Sequence, residues 1–106
     1  MEWYKIFTNE ESARKVLVAS KPQRVQIGEV KICLVLHNEK FFAFQDACTH
    51  NSESLSKGWV NHIGEIICPW HNYRFELASG KPCDSSCADL KTFPVRIDEH
   101  GFYIGI

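Results

Sequence analysis

The stretch "CTHNSESLSKGWVNHIGEIICPWH", residues 48–71, delivers a thiol, an imidazole, a second thiol and a second imidazole, in that order. One residue separates Cys48 from His50, two separate Cys68 from His71, and seventeen lie between the pairs. Two thiolates and two imidazoles suit a tetrahedral zinc ion or an iron–sulfur centre. A zinc finger normally takes two cysteines from one turn and two histidines from another. Here each turn supplies one of each. That order suits a two-iron cluster better, because each turn can give one ligand to each iron.

These four side chains need a frame, and the chain is punctuated for short strands. "EWYKIF" is apolar enough to open a strand, and "NEESARKVL" follows with Asn9 as a helix cap for about one turn. "KPQRVQI" and "EVKICLVLH" read as strands divided by Gly28. "LVLH-NE-KFFAF", "WV-NHIG-EIIC" and "FPVRID-EHG-FYIGI" each place β-prone runs around a polar turn, so three hairpins are expected. "ELASGKP" is a further turn signal. No long helical period and no internal repeat is present. The expected fold is all-β: a small antiparallel domain of stacked short sheets. Cys48 and His50 follow the strand "KFFAFQ", and Cys68 follows "EII", with Pro69 ending that strand. Both pairs therefore fall on loops that can face each other at one end of a sheet.

Composition narrows the function classes. At 106 residues the chain is read as one domain, 1–106. It is 44% hydrophobic and 24% charged, enough to build a core. A formal net charge of -1 gives no electrostatic reason to expect nucleic acid or an anionic membrane as partner. The longest apolar runs, such as "ICLVL", fall far short of the roughly 20 residues a membrane helix needs. The start lacks the basic and apolar regions of a secretory signal, so a cytoplasmic location is expected. In a reducing compartment five cysteines point to metal or redox chemistry before disulfides.

Mixed ligation by two cysteines and two histidines is the Rieske arrangement. With "CTH" at 48–50, "CPWH" at 68–71, "YRFELASGKP" and "FPVRIDEHGFYI", the chain resembles the Rieske-type [2Fe–2S] ferredoxins over nearly its whole length. The resemblance implies a Rieske-like domain with a two-loop cluster-binding subdomain and one [2Fe–2S] cluster. Carried over, Cys48 and Cys68 bind one iron, and His50 and His71 bind the other. High-potential members carry an extra cysteine in each loop, joined as a disulfide; the matching positions are Glu53 and Trp70. Their serine and tyrosine, which donate hydrogen bonds to cluster sulfur, match Tyr73 and Phe75. The chain is more similar to the low-potential ferredoxin components of ring-hydroxylating oxygenase systems. Those often have glycine after each ligand histidine. Asn51 and Asn72 stand there instead, and Asn tolerates positive φ.

The implied role is a one-electron carrier rather than an enzyme. No Rossmann glycine fingerprint is present, and 106 residues leave no room for a flavin, nicotinamide or mononuclear-iron domain. A flavin-dependent reductase as donor and an oxygenase or related enzyme as acceptor are expected. They would dock transiently near His50, His71 and Trp70. The alternatives are a small Rieske-like subunit of a nitrite reductase, or a zinc-stabilised binding module with no redox role. Outside the four ligands, Cys33 reads as a small buried hydrophobe. Cys83 and Cys87 read as free thiols, with a disulfide or redox pair as the alternative. His37, His62 and His100 read as solvated turn residues, and Trp3 and Trp59 as packing residues. Trp70 reads first as packing over the cluster and second as a partner contact.

Overall fold

The run "VKICLVLH" sets the layering. In the computed structural model, which describes residues 1–84 and 87–106, it forms a strand whose residues 32–37 are all buried. A strand presents alternate side chains to opposite faces, so an unbroken buried run must be covered on both sides. Numbering the strands in chain order, β1 is Trp3–Phe7, β2 Gln23–Ile27, β3 Val30–His37, β4 Lys40–Gln45 and β5 Trp59–Val60. β6 is Glu65–Ile67, β7 Arg74–Glu76, β8 Thr92–Phe93, β9 Val95–Asp98 and β10 Gly101–Gly105. They make three antiparallel sheets, ordered β2-β3-β4-β8, β1-β10-β9 and β5-β6-β7.

The four-stranded sheet is the middle layer. On one face Ile32, Leu34, Leu36, Ala43 and Phe93 pack with Phe102 and Ile104 of β10 and with Ala13 and Leu17. On the other, Cys33, Val35 and Phe44 pack with Ile66, Phe75, Leu77, Cys48 and Cys68. The second core carries the candidate thiols, so the small sheet is seated on the middle layer through the same side chains that surround them. Fully burying one such phenylalanine contributes about 1.5–3 kcal/mol. No described helix is long and apolar enough to cross a membrane.

The local expectations hold with definite changes. The helix α1, Glu10–Val16, runs about two turns rather than one, capped by Asn9 Oδ1 accepting from the Ser12 N–H at 2.7 Å. The β3–β4 connection is the two-residue turn Asn38–Glu39, with φ of 49° and 66°. "FPVRID" is divided: Phe93 pairs with Ala43 in the middle sheet, Pro94 intervenes, and β9 joins the β1-β10-β9 sheet. His37 is not a solvated turn residue. It closes the buried run, its exposure is 7%, and its Nδ1 meets Ser20 Oγ at 2.8 Å. His62 and His100 are exposed, as expected. Trp3 and Trp59 are more exposed than packing residues should be, at 37% and 47%. Trp3 instead lies against the Arg96 guanidinium, 4.8 Å from its carbon.

The loop after β4 needs an anchor, and Asp46 supplies it. Its side chain is wholly buried and accepts from Arg24 Nε at 2.7 Å, Ser54 Oγ at 2.7 Å, the Ser56 N–H at 2.6 Å and Ser56 Oγ at 2.9 Å. One carboxylate therefore ties β2 to both sides of the first candidate loop. Gly58 lets that loop run close to β6, where any Cβ would strike the Ile67 carbonyl oxygen. Asp46→Ala should lower stability by about 2–3 kcal/mol, discounted from a fully buried pair because Arg24 is partly exposed. Denaturant melts of D46A and of the near-isosteric D46N would check it. Wild-type stability in D46A would contradict the anchoring role.

Candidate metal centre

The two loops are closed by their own backbones. In the first, the Ser52 N–H donates to the Cys48 carbonyl at 2.8 Å, and the Cys48 N–H donates to the Glu53 carbonyl at 2.9 Å. In the second, the Cys68 N–H donates to the Tyr73 carbonyl at 2.8 Å. His71 and Asn72 take left-handed φ of 67° and 56° to make this turn. So Asn72 fills its glycine-like role as the sequence suggests. Asn51 does not: the left-handed residue of the first loop is Ser52, with φ of 64°. Asn51 uses its amide instead. Its Oδ1 accepts from the Glu53 N–H at 2.9 Å, and its Nδ2 donates to the Trp70 carbonyl at 3.5 Å, linking the loops.

The four candidate ligands divide into an inner and an outer pair. Cys48 and Cys68 are buried in one core, at 1% and 0% exposure, and the Cys68 thiol donates to Asn51 Oδ1 of the first loop at 3.7 Å. Burial raises the Cys48 thiol above its usual pKa, and Cys68 adds to the rise. The backbone N–H groups of His50 and Asn51, aimed at the sulfur, act in the opposite sense. The same donors would favour a metal-bound thiolate. His50 and His71 are exposed. His50 lies against Tyr73, ring centroids 3.9 Å apart at 27°, and His71 against Trp70, 5.6 Å apart at 24°. Among the described residues no three His, Cys, Asp or Glu side chains converge as ligands of a single ion would. A pair of adjacent sulfurs inside, with two imidazoles outside and one of each from either loop, fits a two-metal group.

The remaining cysteines stand apart from this pair. Cys33 is buried in the same core, and burial pushes its thiol far up. Cys83 and Cys87 are free thiols, and the stretch between them includes Ser85 and Ser86, outside the described residues. Cys83 donates to Glu65 Oε2 at 2.8 Å. Glu65 also accepts from Asn61 Nδ2 at 2.6 Å and Arg74 Nη1 at 3.1 Å. Those donors, the Cys83 thiol first, hold its carboxyl below the usual range. This carboxylate joins β6 to β7 behind the second loop. Trp70 is 57% exposed, so it lies beside the site at the surface rather than packed inside. Neither the Tyr73–His50 contact nor the Asp46 anchor has a local signature in the sequence. The aromatic two residues beyond His71 was visible, but its partner twenty-three positions back was not.

A family model described as the Rieske [2Fe–2S] domain matches residues 2–94. The ferredoxin component of the alkene monooxygenase system of Xanthobacter autotrophicus is 30% identical over 74% of this chain and 65% of its own length. The 3-phenylpropionate/cinnamic acid dioxygenase ferredoxin subunit of Photorhabdus laumondii is 34% identical over 71% of this chain and 72% of its own. Among solved structures, a chain from the complex of reduced oxygenase and oxidized ferredoxin in carbazole 1,9a-dioxygenase superposes with a TM-score of 0.79 at 27% identity. It covers 96% of this chain and 100% of that one.

The Glu65 contacts give a pH-dependent prediction. A carboxyl with a depressed folded pKa contributes stability above its unfolded value, and loses it as pH falls through the folded value. Glu65→Gln should therefore flatten the acid limb of the stability profile. Desolvation and then Glu65 push the Cys83 thiol up to about 11, so the same variant should make Cys83 more reactive. Alkylation by iodoacetamide at pH 8, followed at the Cys83 peptide by mass spectrometry, should quicken about two- to tenfold. Unchanged kinetics would contradict the assigned contact.

Proposed function

The chain belongs to the Rieske [2Fe–2S] domain family, and we propose that it works as a one-electron carrier whose single cluster is held by Cys48, His50, Cys68 and His71. When bound, such a cluster takes up and releases one electron at a time. The observation that carries the assignment is the division of the four side chains. The thiols sit within the core, next to Phe75 and Leu77, away from water. The imidazoles sit at the surface, on the side where a partner can approach. The chain's own residues thus keep the inner ligands shielded and leave the outer ligands as the shortest exit.

The acceptor is an oxygenase and the donor a flavin-dependent reductase. Support for the oxygenase comes from relatives described as ferredoxin components of monooxygenase and dioxygenase systems, and from the likeness to a chain of an oxygenase–ferredoxin complex. Docking uses the face made by His50, His71 and Trp70, where a half-exposed indole lies beside an exposed imidazole. Large aromatics of this kind commonly anchor interfaces. The contact is small and transient, because a carrier must leave each partner.

Metal analysis with substitution tests this reading. The purified protein should contain two irons and two sulfides per chain. Cys48→Ser or Cys68→Ser should lose the iron and the visible absorption. Cys33→Ala, Cys83→Ser and Cys87→Ser should leave the spectrum unchanged. One zinc per chain and no sulfide would establish the binding-module alternative instead. Full iron in either cysteine-to-serine ligand variant would overturn the site.

A further inference from the structure

The two candidate imidazoles are supported differently. Trp70 precedes His71 in the chain, so their ring contact is local. Tyr73 belongs to the second loop, yet it lies on His50 of the first. The centroid separation of 3.9 Å is shorter than the usual 4.5–7 Å of aromatic pairs, and the 27° tilt makes it a face-to-face contact.

Tyr73 is well placed to hold another residue still. Its carbonyl accepts from the Cys68 N–H at 2.8 Å. Its side chain is half-buried against the core that contains Cys48, Cys68 and Phe75. The left-handed pair His71–Asn72 immediately before it turns the chain back toward that core. His50 has the opposite character. It is exposed, and its ring makes no side-chain hydrogen bond among the described residues. A metal-ligating histidine ordinarily has its second ring nitrogen held by a carboxylate, a carbonyl or a water, which fixes the ring. With no protein group holding that nitrogen, fixing the imidazole costs rotamer entropy on every loading of the site. A ring already anchored beneath it can do the same work through contact.

We propose that Tyr73 is the positioning residue of His50: the aromatic face supplied by the second loop sets the plane of the imidazole supplied by the first. The outer half of the site is then competent only when both loops are closed on each other. Asn51, reaching from the first loop to the Trp70 carbonyl of the second, reinforces that closure from the other side. The inference deepens the proposed ligand role of His50 and rests on it.

The test compares Tyr73→Phe, which keeps the ring, with Tyr73→Leu, which keeps apolar bulk without it. Both are made in the cluster-loaded protein. Two readouts are taken: iron release to a ferrous chelator, and the electron paramagnetic resonance spectrum of the reduced protein. The phenylalanine variant should match wild type in both. The leucine variant should release iron about three- to tenfold faster, the scale of one aromatic pair. Its resonance should also shift and broaden as the imidazole plane is freed. A purely space-filling role for Tyr73 would move melting temperature but leave the resonance of both variants as in wild type, and that outcome overturns the proposal. So would a phenylalanine variant that behaves like leucine, since the hydroxyl would then be the active part. If leucine prevents folding, Tyr73→Gln at this half-exposed position takes its place under the same criteria. A wild-type protein without iron would count against the ligand assignment itself, whereas normal wild-type iron with an indifferent leucine variant would count against Tyr73 alone.

Discussion

Two loops rich in polar backbone have to carry two sulfurs into an apolar core, and the rest of the structure follows from that requirement. Buried N–H and C=O groups must be paired. Each loop therefore bonds across itself: Cys48 to Glu53 and Ser52 in the first, Cys68 to Tyr73 in the second. The left-handed residues Ser52, His71 and Asn72 are what such tight closure demands. Once closed, each loop points its cysteine inward and its histidine outward. Both sulfurs then lie in one buried core beneath a surface where the imidazoles remain accessible.

That arrangement also dictates what lies around it. The middle sheet must offer an apolar face to the thiols, which Cys33, Val35 and Phe44 provide. Its other face is covered by the β1-β10-β9 sheet and α1, so β3 is rigidly held between layers. Asp46 transmits this rigidity into the first loop, and Glu65 joins the strands on either side of the second. A carrier gains from such stiffness.

Much of this was legible because it is local. The placement of both Cys–His pairs on loops, the β3–β4 turn at Asn38–Glu39 and the Asn9 cap all depend on neighbours a few residues apart. The sequence misleads where distant segments decide. His37 looked like part of a turn, yet the turn begins one residue later and the end of β3 is covered. Trp3 and Trp59 look like core residues by type alone. Nothing local reveals that Trp3 lies against Arg96, on the opposite edge strand of the same sheet. Asn51 was expected to supply a left-handed backbone and supplies a side-chain link between loops instead. Asp46 gathers partners from Arg24 to Ser56, and only the assembled fold shows that these positions meet.

The central claim is that two imidazoles, those of His50 and His71, are bound to the outer metal of a [2Fe–2S] cluster. Pulsed electron paramagnetic resonance on the reduced protein tests it most directly, with histidine labelled uniformly with ¹⁵N. Two strongly coupled nitrogens should appear and convert from ¹⁴N to ¹⁵N signatures on labelling. A cluster with no histidine nitrogen coupling, or with couplings that persist unchanged when both His50 and His71 are replaced by cysteine, would contradict the account.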